Sequence, residues 1–245
     1  MDSETKYSYT ISDSDKKKLM SMLFILVLFS IMNSTMFMVS VPDIAQYFGL
    51  LPSQVSWVVT GYIILYSIGA LLYGKLVDIF PIKNLLTFGI SLFVIGSIFG
   101  FLAPSYLLVV LSRMVQACGA AAVIAIVFVI PSRYFPQEKG KMLGILSSAM
   151  AFGAGLGPVL GGFIAGFLDW HFIFLFSFFV GLTLPFIRAL LPKEEKKNGK
   201  PDVIGALLMA AGVALFILFI TTFHWPYLLC GTIISATFFW WIYHC

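Results

Sequence analysis

Charge is what this chain has least of. Only 11% of its 245 residues are Asp, Glu, Lys or Arg, against roughly 25% in an ordinary globular protein. A soluble fold so poor in charge has no means of covering its own surface. A disordered chain is excluded too, because such chains need low hydrophobicity and here 60% of the residues are hydrophobic and 16% aromatic. Cysteine is scarce: Cys118, Cys230 and Cys245 are the whole set, too few for a secreted disulfide scaffold. Each lies in or at the end of an apolar segment, without metal-ligand spacing, and reads as packing. His171, His224 and His244 are scattered over three segments. With no Ser/His/Asp set, no phosphate-cradling loop and no nucleotide motif, no enzyme activity, metal or cofactor is expected. What remains is an all-α polytopic membrane protein whose helices are apolar all round.

Stretches free of Asp, Glu, Lys and Arg locate the spans. They run over 19–42, 44–74, 84–112, 114–132, 142–168, 170–187 and 203–245. A membrane-crossing helix takes about 20 mostly apolar residues, so the last stretch divides, at His224-Trp225-Pro226. Turn residues then predict eight helices, near 19–41, 55–75, 84–103, 106–130, 142–167, 171–190, 203–222 and 227–244. Residues 1–18 form a polar N-terminal tail, 19–190 a six-helix bundle, 191–202 a loop, and 203–245 two further spans. The first span is no cleaved leader, since it lacks a short apolar core followed by a small-residue cleavage site.

The positive charges alternate. Lys16, Lys17 and Lys18 precede the first span; Lys75 and Lys83 flank the second loop; Arg133, Lys139 and Lys141 fill the fourth; Arg188, Lys193, Lys196, Lys197 and Lys200 gather at the sixth. The odd-numbered loops carry no Lys or Arg. Such asymmetry predicts a cell-membrane protein with the N terminus and the even loops in the cytoplasm. The net charge of +4 is then explained by topology and by contact with the lipid bilayer, and no nucleic-acid partner is expected.

Four segments carry more than hydrophobicity. The second loop, Gly74-Lys75-Leu76-Val77-Asp78-Ile79-Phe80-Pro81-Ile82-Lys83, is short. Gly74 is expected to allow close approach, Pro81 to stop the helix, and Asp78 to accept from free backbone N–H groups beside a helix dipole. Arg113 is the one formal charge well inside a span, with Gln116 on the same face. Gly153, Gly157 and Gly161, with Gly162 and a helix-bending Pro158, form a smooth stripe on the fifth span that suits either a moving or a static helix contact. The first span holds Asn33, Ser34 and Thr35, a polar group expected in a bundle interior or solute cavity. Met22, Met32, Met36, Met38 and Phe37 are adaptable apolar lining, expected mostly to face lipid.

These segments resemble the major facilitator superfamily. Gly74-x-Leu76-x-Asp78-x-x-x-x-Lys83 is similar to its signature between the second and third helices. Arg113-x-x-Gln116 is similar to its fourth-helix motif. Gly153-x-x-x-Gly157-Pro158-x-x-Gly161-Gly162 is similar to the fifth-helix motif of its antiporter branch, and Asn33 through Ala45 to the first-helix motif of drug:proton antiporters. The nearest resemblance is to fourteen-helix tetracycline efflux proteins of Gram-positive bacteria. It implies alternating access between two six-helix halves, with tetracycline-like or other amphipathic drugs and protons as partners. Arg113, Gln116, Asn33 and Ser34 would then serve transport or coupling. Asp78, with Gly74, Lys83 and the fifth-helix glycines, would serve conformational change. Spans seven and eight would be linker helices.

The chain also departs from that pattern. Pro81 and Ile82 stand where the family signature often has Gly and a basic residue. Ser34 stands where the tetracycline exporters have an acidic residue, and Asn33 where other drug antiporters have Asp. No Asp or Glu lies deep in any predicted span. Three readings of proton coupling stand open: a carboxylate in a further half, Asp43 or Asp169 at the outer face, or no coupling. The length leads us to expect the N-terminal half plus linkers, as a truncated product, a non-transporting remnant or one part of a split carrier.

Overall fold

The computed structural model describes residues 12–192, 194, 208, 211–215, 217, 219 and 225–244. The tail before residue 12, most of the loop after 192 and most of the predicted seventh span lie outside the described residues. Trp225–His244, the region of the predicted eighth span, is helical. Six helices among the described residues are long and apolar enough to cross a membrane: Ser14–Phe48, Pro52–Leu76, Ile82–Phe101, Tyr106–Tyr134, Pro136–Phe167 and Phe172–Leu190. These are spans one to six below.

Span one runs past its predicted end. It continues through Pro42 as a single helix, Asp13–Phe48. Proline removes one donor, but the residues beyond it keep bonding. The helix stops where the backbone turns left-handed, at Gly49 with φ 63°. There the Leu50 N–H reaches back to the Ala45 carbonyl at 2.9 Å and the Gly49 N–H to that of Gln46 at 3.3 Å, a glycine-made stop. Pro158, by contrast, lies inside span five without ending its helix, Lys139–Phe167.

Span six is less regular than its apolar run predicts. It consists of Phe172–Phe176, Phe178–Leu182 and Leu184–Leu190. At the joints, Ser177 N–H bonds the Phe174 carbonyl and Thr183 N–H that of Val180, three residues back. The hydroxyls of Ser177 and Thr183 also take local carbonyls, Ile173 and Val180. Serine and threonine thereby offer the backbone an alternative to the α ladder.

Span one packs along span five, span four lies between spans two and three, and span six rests on spans three and one. The glycine stripe of span five is filled by span one. A Cβ on Gly153 would stand 2.8 Å from the Leu28 carbonyl, and one on Gly161 2.8 Å from the Met36 Cα. Small residues allow this backbone approach. The buried side chains form two apolar clusters. One, with Leu23, Ile82, Leu86 and Leu146, lies toward the basic loops; the other, with Met36, Val58, Ile164 and Phe174, lies toward the opposite end. The outer faces expose Phe88, Leu107, Phe152 and Phe167, apolar surface that suits lipid rather than water.

Several expectations are corrected here. A Cβ on Gly74 would meet nothing within 4 Å, because Gly74 sits inside the helix Trp57–Leu76 and no neighbour approaches it. Met32, Met36 and Phe37 are buried inside the bundle rather than lipid-facing; Met38 alone of that group is largely exposed, at 58%.

Candidate functional site

A polar network lies between the two apolar clusters, at the middle of the bundle. Arg113 enters it from span four, seven residues after Tyr106, hence about 10 Å along the helix at ~1.5 Å per residue. It is 1% exposed. Its Nη1 donates to Asn33 Oδ1 on span one at 3.0 Å and to Gln116 Oε1 at 2.8 Å. Asn33 Nδ2 passes the chain on to Ser177 Oγ on span six at 2.5 Å. Gln116 Nε2 donates to Ser97 Oγ on span three at 2.7 Å and reaches Ser177 Oγ at 3.5 Å. The guanidinium carbon lies 4.0 Å from the ring centre of Phe37 and 4.0 Å from that of Tyr62 on span two. Directly or through Asn33 and Gln116, one side chain is thus linked to five of the six spans.

The partners explain how a charge is held there. An intramembrane arginine costs several kcal/mol unless solvated by its surroundings. Here two aromatic faces and two amide oxygens provide that solvation, and Nε finds no acceptor among the described residues. The close approach of spans three and four makes the Ser97 contact: a Cβ on Gly96 would stand 2.8 Å from Gln116 N.

The structure brings Arg113, Gln116 and Asn33 together. Ser34 is half-buried and lies beside Tyr62. Thr35 does not join; its hydroxyl bonds the Ile31 and Met32 carbonyls at 3.1 Å and the Gly153 carbonyl at 3.3 Å. Tyr62, Ser97 and Ser177 belong to the network and escaped the sequence reading. The one signal was a polar side chain within an apolar span, and many membrane serines satisfy themselves on their own helix.

The second constellation lies among the basic loops. Arg133 donates from Nη2 to the Val77 carbonyl at 3.0 Å, stands 3.8 Å from Asp78 Oδ1 and pairs with Glu194 Oε1 at 3.3 Å. Asp78 is largely exposed. The carboxylate that accepts a free N–H at the start of span three is Glu194, from Ile82 N at 2.9 Å, not Asp78 as the loop predicts. Negative charge at a helix N-terminus is favourable, and Glu194 reaches it because span six delivers it there. Lys83 is half-buried in the first turn of span three, and Gly162 lies 3.9 Å, at its would-be Cβ, from Val39.

Of the outer carboxylates, Asp43 is exposed and makes no ion pair among the described residues. Asp169 accepts from the His171 backbone N–H at 2.9 Å and meets its ring Nδ1. Partial burial pushes its carboxyl up, but the His171 contacts outweigh that and hold it below the usual carboxylate value.

The sequence profile of the Major Facilitator Superfamily matches residues 23–243. The riboflavin transporter RibZ of Clostridioides difficile is 33% identical over 196 residues, covering 78% of this chain and 43% of RibZ. Multidrug resistance protein 3 of Bacillus subtilis is 30% identical over 190 residues, covering 76% of this chain and 37% of that protein. The chain therefore spans less than half the length of these relatives. Among solved structures, the human organic anion transporter MFSD10 superposes with a TM-score of 0.61 at 15% identity, over 82% of this chain and 54% of that one, a likeness of fold.

Proposed function

The chain belongs to the major facilitator superfamily, a family of transporters rather than enzymes, and from that premise we propose that it forms the N-terminal bundle of a carrier exporting tetracycline-like or other amphipathic drugs in exchange for protons. The observation that carries the reading is the buried Arg113, held by neutral partners from spans one, two and four and linked through Asn33 and Gln116 to spans six and three. The names of the relatives, multidrug resistance and riboflavin transport, support a small organic cargo. The alternation of basic loops supports an N terminus on the cytoplasmic side.

In this reading each part has a separate task. Arg113 keeps its proton at any physiological pH, so it acts as a fixed positive charge at mid-membrane. The network links that charge to five spans, so a change of tilt in one is passed to the others. The coupling proton rides on a carboxylate outside the network. Of the outer-face carboxylates, Asp169 is engaged by His171, while Asp43 is exposed and makes no ion pair among the described residues. Asp78, with Arg133 and Glu194, ties the second loop to the end of span six and serves as the latch of the inner face.

The test is drug-dependent proton movement in everted membrane vesicles containing the carrier to which this bundle belongs. A drug added to energised vesicles is expected to discharge the pH gradient, and Arg113→Ala to abolish that discharge at an unchanged amount of inserted protein. An undiminished discharge with Arg113→Ala removes the arginine from the mechanism, and none in the parent removes proton-coupled efflux.

A further inference from the structure

A cavity of about 790 Å³ opens between the basic ends of spans one and five, far from Arg113. Lys16, Lys17 and Lys141 stand at its mouth with Glu138. Lys16 pairs with Glu138, while Lys17 and Lys141 are exposed and make no ion pair among the described residues. Two positive charges are thus left over. Deeper in, the wall turns apolar, with Phe24 and Ile25 from span one and Met142 and Ile145 from span five. From Lys16 to Phe24 the groove descends eight residues, about 12 Å along a helix. Its charge therefore lies at headgroup depth and its apolar wall at acyl-chain depth.

From this order of charge over hydrocarbon we infer that the groove is a binding site for one anionic glycerophospholipid. The phosphate sits between Lys17 and Lys141, and an acyl chain lies along Phe24 and Ile145. The charge complementarity selects the occupant. Basic pockets between membrane helices attract phosphate headgroups, whereas a zwitterionic lipid gains nothing from the two unpaired lysines. An apolar protein surface would have to bury both ammonium groups without a counter-charge. The Lys16–Glu138 pair leaves the phosphate as the one anion the mouth lacks.

Native mass spectrometry of the detergent-purified full chain tests this, titrating phosphatidylglycerol, phosphatidylcholine and inorganic phosphate separately. Phosphatidylglycerol is expected to bind as a single preferred adduct. The double variant Lys17→Gln/Lys141→Gln is expected to weaken it roughly 30-fold, about 1 kcal/mol per lysine. Lys75→Gln/Arg188→Gln removes two positive charges elsewhere and should leave the adduct unchanged. Ile145→Trp keeps every charge, fills the apolar wall and should reduce the adduct as well. Equal binding of phosphatidylcholine, equal loss in the two charge variants, or a full adduct with Ile145→Trp overturns the site. Displacement of the lipid by millimolar phosphate would make it a free-anion site, and formation of a dimer that excludes both lipids would give the groove to a second copy; either result overturns the lipid assignment.

Discussion

Arg113 and Arg133 are twenty residues apart on the same span, and the protein treats them in opposite ways. Arg133 is 23% exposed and paired with two carboxylates, Glu194 and Asp78. Arg113 is 1% exposed and has no carboxylate, only amide oxygens and aromatic faces. At the wet end, water still reaches the guanidinium in part, so an ion pair adds less than it would at mid-membrane and serves to hold two loops together. At mid-membrane each neighbour replaces water, so every one matters to the free energy of the charge. A full counter-charge buried there would fix the bundle in one arrangement; neutral partners bind the arginine more loosely, which suits a part that must be shared between conformations.

The largest expected effect breaks the buried side of this contrast. Asn33→Leu leaves the guanidinium in place without its acceptor on span one. It should cost about 3 kcal/mol, the loss that follows when a buried charged donor loses a neutral acceptor, read as a lowered thermal unfolding midpoint in detergent. Arg113→Met removes the charge itself but leaves Asn33 Oδ1 and Gln116 Oε1 without their donor. It should cost less than Asn33→Leu, about 1 kcal/mol, while transport by the carrier is lost. If Arg113→Met unfolds the bundle as readily as Asn33→Leu, the network is structural and the contrast between the two arginines fails.

A smaller effect sharpens the contrast between contact and open surface on span five. Gly161→Leu drives a side chain into the Met36 backbone, 2.8 Å from its Cβ, and should cost about 1–3 kcal/mol by overpacking. Gly155, two residues before Gly157, has nothing within 4 Å of its would-be Cβ, and Gly155→Leu should leave the midpoint unchanged. Equal midpoints for the two variants would mean that span one does not fill the stripe.

The smallest effect belongs to the wet end. Arg133→Gln should change stability by no more than about 1 kcal/mol. Because screening acts on exposed pairs far more than on buried ones, 1 M salt should bring the parent toward this variant and leave the Asn33→Leu deficit intact. A salt-insensitive Arg133 would show that its pairs are effectively buried, and would erase the difference drawn above. Its transport phenotype should exceed its stability phenotype, since what it holds is loop position.

How much of the site could be read in advance varied with distance along the chain. Arg113 and Gln116 are one helical turn apart, so their shared face follows from spacing and the structure shows the bond. Asn33 was visible as a polar residue in an apolar run, but its partnership with Arg113 crosses 80 positions. Ser97, Tyr62 and Ser177 carried no signal beyond being polar residues in apolar spans. Glu194 sits in a loop rich in lysine and glutamate, where nothing marks one carboxylate as the cap of a helix 112 residues away. The stripe of Gly153, Gly157 and Gly161 announced a close approach, and only the fold showed that span one occupies it.

Sequence alone determined what a chain must do to enter a membrane. Long apolar runs, their spacing and the sidedness of lysine and arginine are local quantities, set by the cost of placing charge or an unpaired backbone in hydrocarbon. Tertiary structure decided which polar atoms meet. In a span that is apolar all round no face is marked as inward, so the rotation of each helix about its own axis, and with it the identity of Arg113's neighbours, is chosen by packing against the other five.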